Sequence, residues 1–203
     1  MLHPGGAASW RVDEKAALRA QARAARRAIP APERERLSER IAEHALDLPE
    51  LTKVGTIGCY VAAGSEVDTR LLLRGLTARA HRVAVPVIAG DALRWVRLNH
   101  PWALVPGERG IDVPRQPWED APASELVVVF VPGVRFGRDG SRLGQGGGHF
   151  DRFLVAHPKA LRVGLAFDAQ LDARVPTEEH DEGMDVIVTE NGRLRIGRPA
   201  AQA

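Results

Sequence analysis

Six consecutive apolar residues, Leu126-Val-Val-Val-Phe-Val131, run into a stretch where Gly144, Gly146, Gly147 and Gly148 fall within five positions. The apolar run reads as a buried strand, and the residues from His149 onward can begin a helix. A strand, a glycine loop and a helix start leave a chain few alternatives. Densely placed glycines let backbone N–H groups converge without Cβ interference, and converging amides at a helix N-terminus hold anions, phosphate above all. Arg142 precedes the glycines and Asp151 follows them: a cation for phosphate, and a hard oxygen ligand for the Mg2+ that accompanies nucleotides. A flexible linker has no need to interleave Arg, His, Phe and Asp with its glycines. The loop matches neither familiar nucleotide fingerprint. It has no lysine, as a P-loop requires, and the third glycine of a dinucleotide fingerprint would fall on His149 or Asp151.

The rest of the chain alternates between helical and strand-like segments. Asp13 to Ile29 is rich in Ala, Arg, Leu and Gln and stops at Pro30, and a second helix is expected from Pro32 to about Leu48. Val54 to Val61 is β-rich, and Thr69 to Ala80 reads as a helix. Strands are expected at Arg82–Ile88, Leu93–Leu98, Leu126–Val131, Leu161–Ala166 and Asp185–Val188. Residues 99–124, with several prolines, Trp102 and Trp118, predict a long irregular crossing. This alternation predicts an α/β fold: a single-domain three-layer sandwich with a largely parallel (mixed) sheet, Rossmann-like, preceded by a basic helix. One domain spans residues 1–203 in this reading, with frayed ends at about 1–12 and 198–203.

Composition narrows the classes of partner. The chain has 203 residues, 44% of them hydrophobic, enough for a substantial core. A net charge of +2 drives no general attraction to nucleic acid. No apolar stretch approaches the roughly 20 residues that span a bilayer. The single cysteine, Cys59, sits in an apolar run, and no signal peptide is visible, so a cytoplasmic location is expected.

Ligands in such folds bind at the carboxyl ends of the strands. Gly64–Thr69, the glycine loop, Phe167-Asp168 and Thr177–Asp181 all fall there, although each taken singly fits ordinary turn chemistry. On the first helix Lys15, Arg19, Arg23, Arg26 and Arg27 recur at spacings of four, four, three and one, so most share a face. Nucleotide phosphates, a nucleic-acid backbone or plain water would each satisfy such a stripe.

The run VPGVRFGRDGSRLGQGGGHFDRFL, from Val131, closely resembles the signature of the 5-formyltetrahydrofolate cyclo-ligases. Lys15-Ala-Ala-Leu-Arg19 is similar to the family's N-terminal Lys-x-x-x-Arg element, and Ser65-Glu-Val-Asp-Thr69 to its Glu-Val-Asp-Thr segment. Gly164-Leu-Ala-Phe-Asp168, Val175-Pro176 and Glu179-His-Asp181 resemble its C-terminal block. The likeness spans roughly residues 13 to 190.

The resemblance implies an ATP- and Mg2+-dependent ring closure of 5-formyltetrahydrofolate to 5,10-methenyltetrahydrofolate, releasing ADP and phosphate. The formyl oxygen is phosphorylated and N10 then closes the ring. Carried over by position, Lys15 and Arg19 reach ATP phosphates, and Arg142, Leu143, Gly144, Gln145, Gly146, Gly147, Gly148, His149 and Phe150 form the ATP-binding loop. Asp151 and Asp181 hold Mg2+. Glu66 hydrogen-bonds the pterin, Val61 lines the folate pocket, and Gln145 to His149 face the formyl end. Arg142, Gln145 and His149 are the implied catalytic residues. Chemistry of this kind relies on positioning and charge neutralisation rather than on a protein nucleophile.

The chain departs from the resemblance where the family often carries Tyr-Tyr, with His149-Phe150 in their place, and where other members carry Arg or Tyr at the position of Gln145. A relative that binds ATP but acts on another formyl compound, or is inactive, is the first alternative, and a nucleic-acid-binding module is the second. Expected partners are small-molecule substrates, with no nucleic acid and no membrane, and the protein is expected to be a monomer or weak homo-oligomer.

Overall fold

The computed structural model describes residues 12–100, 103–107, 110–178 and 180–197. Residues 1–11 and 198–203, read as frayed ends, lie outside the described residues, as do Trp102 and Glu179. Helix α1 (Val12–Ala28) is followed by α2 (Ala31–Leu46), whose N-cap is Pro30. Proline is tolerated at a helix start because its missing N–H has no intrahelical partner there. Strand β1 (Thr56–Cys59), helix α3 (Arg70–Ala78) and strand β2 (Arg82–Ala89) make a parallel β-α-β unit. A turn at Gly90, with φ of +61°, returns the chain as β3 (Ala92–Arg97).

Strands β4 (Leu104–Pro106) and β5 (Asp112–Pro114) form a hairpin within the segment expected to be irregular. Strand β6 (Leu126–Val131) re-enters the main sheet on the other side of β1. Strands β7 (Arg135–Gly137) and β8 (Arg142–Leu143) precede helix α4 (His149–Ala156). Strand β9 (Leu161–Leu165), strand β10 (Leu171–Asp172), strand β11 (Val186–Thr189) and strand β12 (Gly192–Arg195) complete the order.

The main sheet runs β12-β11-β9-β6-β1-β2-β3, five parallel strands bounded by an antiparallel strand at each edge. Its parallel strands are largely buried on both faces, so apolar residues dominate them rather than alternate, with Arg162 of β9 a buried exception. Val186 and Val188 point to one core and Ile187 to the other. The first core takes Ile41 and Ala45 of α2 with Leu72, Leu73 and Leu76 of α3; the second takes Phe153 and Leu154 of α4. Truncating a fully buried side chain such as Leu154 would cost about 2–5 kcal/mol. Gly58 leaves room for Trp95: a Cβ there would lie 2.7 Å from the indole ring.

The fold class is the expected mixed, largely parallel α/β sandwich, with two corrections of detail. The glycine loop is fed not by β6 but by β8, part of a small sheet in the order β10-β7-β8. The edge strand β12 was not anticipated. The sheet order also places a topological switch between β1 and β6, because the chain moves outward from β1 to β2 and later returns to its other side. Loops leaving the carboxyl ends of these two strands diverge, and the crevice between them is the natural ligand site. Helix α1 crosses it, packing Leu18 and Ala22 against Val134, Leu143 and Val175.

Candidate active site

A cleft of about 1380 Å³ opens at this crevice. Its lining includes every residue to which the family resemblance gave a role: Lys15, Arg19, Val61, Glu66, Arg142 to Phe150, Asp151 and Asp181. Phe167-Asp168 is not part of the lining. Phe167 is fully buried, and Asp168 opens a 3-10 turn with its N–H bonded to Glu190.

The glycine loop is shaped by backbone that other residues resist. Gly146 has φ of +108°, and Gly148, the N-cap of α4, has φ of +66°. Arg152 is the first residue whose N–H closes a helical bond, to the Gly148 carbonyl at 3.0 Å. The amides of His149, Phe150 and Asp151 therefore have no intrahelical acceptor and stand at the positive end of the helix dipole. Arg19 Nε donates to the Gly144 carbonyl at 3.0 Å, which brings α1 to the loop. Half-buried Phe150 also packs into the core, edge-on to Trp95 at 6.5 Å between ring centres.

Two cation–carboxylate pairs cross the glycine-loop side of the cleft. Lys15, whose side chain is 4% exposed, places Nζ 2.5 Å from Asp181 Oδ2 and 3.1 Å from Glu178 Oε1. Burial pushes the Asp181 carboxyl up, but the Lys15 hydrogen bond, the Glu178 N–H and the Lys15 charge outweigh it and hold the group below its usual range. Arg142, 4% exposed, pairs through Nη2 with Asp151 Oδ1 at 2.5 Å, and the Glu182 N–H reaches the same oxygen at 3.1 Å.

Each of these aspartates uses one oxygen in its pair, leaving Asp151 Oδ2 and Asp181 Oδ1 without a protein partner among the described residues. That donor chemistry, carboxylate oxygen beside a glycine-rich helix N-terminus, fits Mg2+. Glu178, His180 and Asp181 hold ligand atoms within 4.8 Å of one another. Asp151 lies outside that group and is tied to Arg142 instead, so the two aspartates expected to act together are held by different cations.

On the opposite side, Glu66 sits in a turn built by its own chain. Its Oε2 accepts the Ala63 N–H at 3.0 Å, while the Glu66 N–H donates to the Ala63 carbonyl at 3.2 Å. Thr69 Oγ1 bonds the Tyr60 carbonyl at 2.9 Å and accepts the Ala62 N–H, anchoring the turn to β1. The Tyr60 hydroxyl donates to the Val67 carbonyl, and burial holds that phenol well above its ordinary pKa. Gln145 Nε2 reaches Glu66 Oε1 at 3.1 Å and its Oε1 accepts from Arg23 at 3.4 Å, so one side chain links the loop to both walls.

Sequence reasoning missed an apolar wall formed by Ile88, Leu93, Ile111, Val113 and Trp118. Four of these five residues come from hairpins whose pairing brings them to the cleft, and no local motif announces that. It also missed Glu178 as a partner of Lys15 and the burial of Arg26, which its place among the other cations of the stripe concealed.

The arrangement brings the glycine loop and its flanking cations within reach of an acid-bearing apolar pocket. The sequence profile of the 5-formyltetrahydrofolate cyclo-ligase family matches residues 11–190. The chain is 34% identical over 173 residues to a 5-formyltetrahydrofolate cyclo-ligase of Escherichia coli K12, covering 81% of this chain and 93% of that one. Its structure is similar to a 5,10-methenyltetrahydrofolate synthetase from Aquifex aeolicus, with a TM-score of 0.80 and 31% identity over 93% of this chain and 96% of that one. It also shares its fold with a 5,10-methenyltetrahydrofolate synthetase from Mycoplasma pneumoniae, at a TM-score of 0.70 and 21% identity over 87% of this chain and 99% of that one.

Proposed function

The chain belongs to the 5-formyltetrahydrofolate cyclo-ligase family, ATP-dependent ligases that convert 5-formyltetrahydrofolate to 5,10-methenyltetrahydrofolate, and from that premise we propose how its residues divide the work. The observation that carries the assignment is the juxtaposition across one cleft of a glycine-loop phosphate cradle and the Glu66 turn, linked by Gln145.

Lys15, Arg19 and Arg142 meet the ATP phosphates, together with the amides of Gly144 to Gly148 and the first turn of α4. Leu143 and Phe150 pack the loop from behind. Asp151 and Asp181 would hold Mg2+, and the bound ion would supply further neutralisation of phosphate charge. Glu66 accepts from the pterin's amino and ring N–H donors, and Val61 closes the pocket beside it. Gln145 and His149 orient the formyl group toward the γ-phosphate.

The formyl oxygen attacks the γ-phosphorus and ADP leaves. N10 then bonds the formyl carbon and loses its proton, and the carbon–oxygen bond to phosphate breaks. Arg142 stabilises charge on the transferred phosphoryl group, and the buried setting strengthens that interaction. The wall of Ile88, Ile111, Val113 and Trp118 excludes water from the activated formyl carbon.

This reading treats residues 1–203 as one domain working in the cytoplasm as a monomer or weak homo-oligomer, without nucleic acid or membrane. Among the described residues no helix is long and apolar enough to cross a bilayer. The test is incubation with 5-formyltetrahydrofolate, ATP and Mg2+, following methenyltetrahydrofolate by its near-ultraviolet absorbance. Product that needs both ATP and Mg2+ is expected. ATP binding without product would transfer the assignment to another formyl substrate.

A further inference from the structure

Arg26 differs from the other cations of the cleft. Only 5% exposed, it is as buried as Lys15 and Arg142, but among the described residues no carboxylate lies within ion-pair distance of it. Its Nε donates to Ser65 Oγ at 3.1 Å and its Nη1 to the Gly133 carbonyl at 3.3 Å. Burial pulls its pKa down, and the nearby charge of Glu66 is the largest influence in the other direction.

Ser65 leaves the carboxyl end of β1 and immediately precedes Glu66, whereas Gly133 follows β6. Arg26 therefore spans the switch point, where neighbouring strands send their loops apart and no ladder of backbone bonds holds those loops together. Gln170 Nε2 reaches the same Gly133 carbonyl at 3.2 Å and the Val134 carbonyl at 3.0 Å, which secures the far end of the bridge. An apolar side chain would hold α1 on the sheet without taking a guanidinium out of water. The buried charge is matched to the two polar atoms it bridges and to the acid beside them.

We infer that Arg26 is a positioning residue for folate recognition, fixing the Ser65-Glu66 turn against the β6 loop so that the Glu66 carboxylate meets the pterin in one orientation. The inference rests on Glu66 as the pterin acceptor. Arg26 itself touches neither reacting centre, and the phosphates are left to Lys15, Arg19 and Arg142.

The test is steady-state kinetics on Arg26→Lys and Ser65→Ala, varying each substrate in turn, with Glu66→Gln alongside. Arg26→Lys keeps the charge but loses the forked geometry, and is expected to raise KM for 5-formyltetrahydrofolate about tenfold, the loss of one charge-assisted hydrogen bond. Ser65→Ala removes only the Nε acceptor, and its rise should be about threefold. KM for ATP should stay within about twofold of wild type in both.

An unchanged folate KM in both variants overturns the inference, and so does an ATP KM that rises as far as the folate KM, because general damage to α1 disturbs both substrates. If Arg26→Lys does not fold, Ser65→Ala decides alone. Should Glu66→Gln leave the folate KM unchanged, the pterin assignment itself fails. Should Glu66→Gln raise it while Arg26→Lys and Ser65→Ala do not, the positioning role fails by itself.

Discussion

Replacing Asp151 with Asn separates its structural role from its proposed chemical one. The Arg142 side chain is 3% exposed and that of Asp151 14%, so the pair is shielded from water. Deleting one partner of such a pair costs about 3–5 kcal/mol, because a buried charge is left alone. Asn removes the charge but keeps Oδ1, which accepts both the Arg142 and the Glu182 bonds. The relevant loss is therefore the difference between charge-assisted and neutral hydrogen bonds, about 1–2 kcal/mol. For a chain of about 200 residues this lowers Tm by roughly 2–8 °C. Turnover should suffer more, because the oxygen proposed to face Mg2+ becomes an amide nitrogen that donates. A fall in kcat of about 100-fold is expected. Thermal unfolding by circular dichroism, paired with product formation across a Mg2+ titration, measures both. Near-normal turnover at saturating Mg2+ would refute the metal role. A drop in Tm well beyond about 10 °C would show that the Asn oxygen does not take over the bonds.

Three other perturbations probe separate parts of the structure. Gly146→Ala places a Cβ on backbone at φ of +108° where no neighbour lies closer than 3.7 Å, so strain rather than space opposes it. ATP affinity by calorimetry should fall about tenfold, and unchanged affinity would mean the loop amides do not contact the nucleotide. His149→Tyr should change KM for 5-formyltetrahydrofolate while leaving KM for ATP alone; the reverse pattern would move His149 to the phosphate side. Arg195 grips Glu50 through both terminal nitrogens at 2.7 and 3.2 Å, and this hydrogen bonding holds the Glu50 carboxyl below its ordinary value of 4.5. A depressed carboxyl adds stability above its unfolded pKa and loses it as pH falls through the folded one. Arg195→Met should therefore cost under about 1 kcal/mol at pH 7. Denaturant titrations should find that gap closing in acid below 4.5, and a gap that persists there would point to lost packing instead.

The parallel strands were legible because burial on both faces makes them predominantly apolar, β6 without a break, and α1 to α3 because Pro30 and the turn residues delimit them. The expected strand from Val54 to Val61 is shorter, Thr56–Cys59, since exposed Val54 lies outside the sheet and Tyr60 turns its carbonyl to Thr69. Strands β7, β8 and β10, two or three residues each, are too short to show a period, and they exist because non-local partners pair with them. The hairpin of β4 and β5 hid among prolines. At the site, local chemistry made the glycine loop conspicuous, whereas Glu66 was legible only through the family resemblance. The pairing of Lys15 with Asp181, and the difference between buried Arg26 and its neighbours on the stripe, depend on tertiary placement that spacing does not encode.

The Lys15–Asp181 contact joins residues 166 positions apart. A chain made from its N-terminus acquires Lys15 near the beginning and that aspartate only when the greater part has been translated. Until then an ammonium that the finished protein buries has no counter-charge there, although the apolar contacts of α1 with Val134, Leu143 and Val175 are already in reach. The Lys15–Asp181 pair can therefore close only after β1, β6 and β9 have been synthesised. A growing polypeptide thus carries its glycine loop before Lys15 has its carboxylate partner.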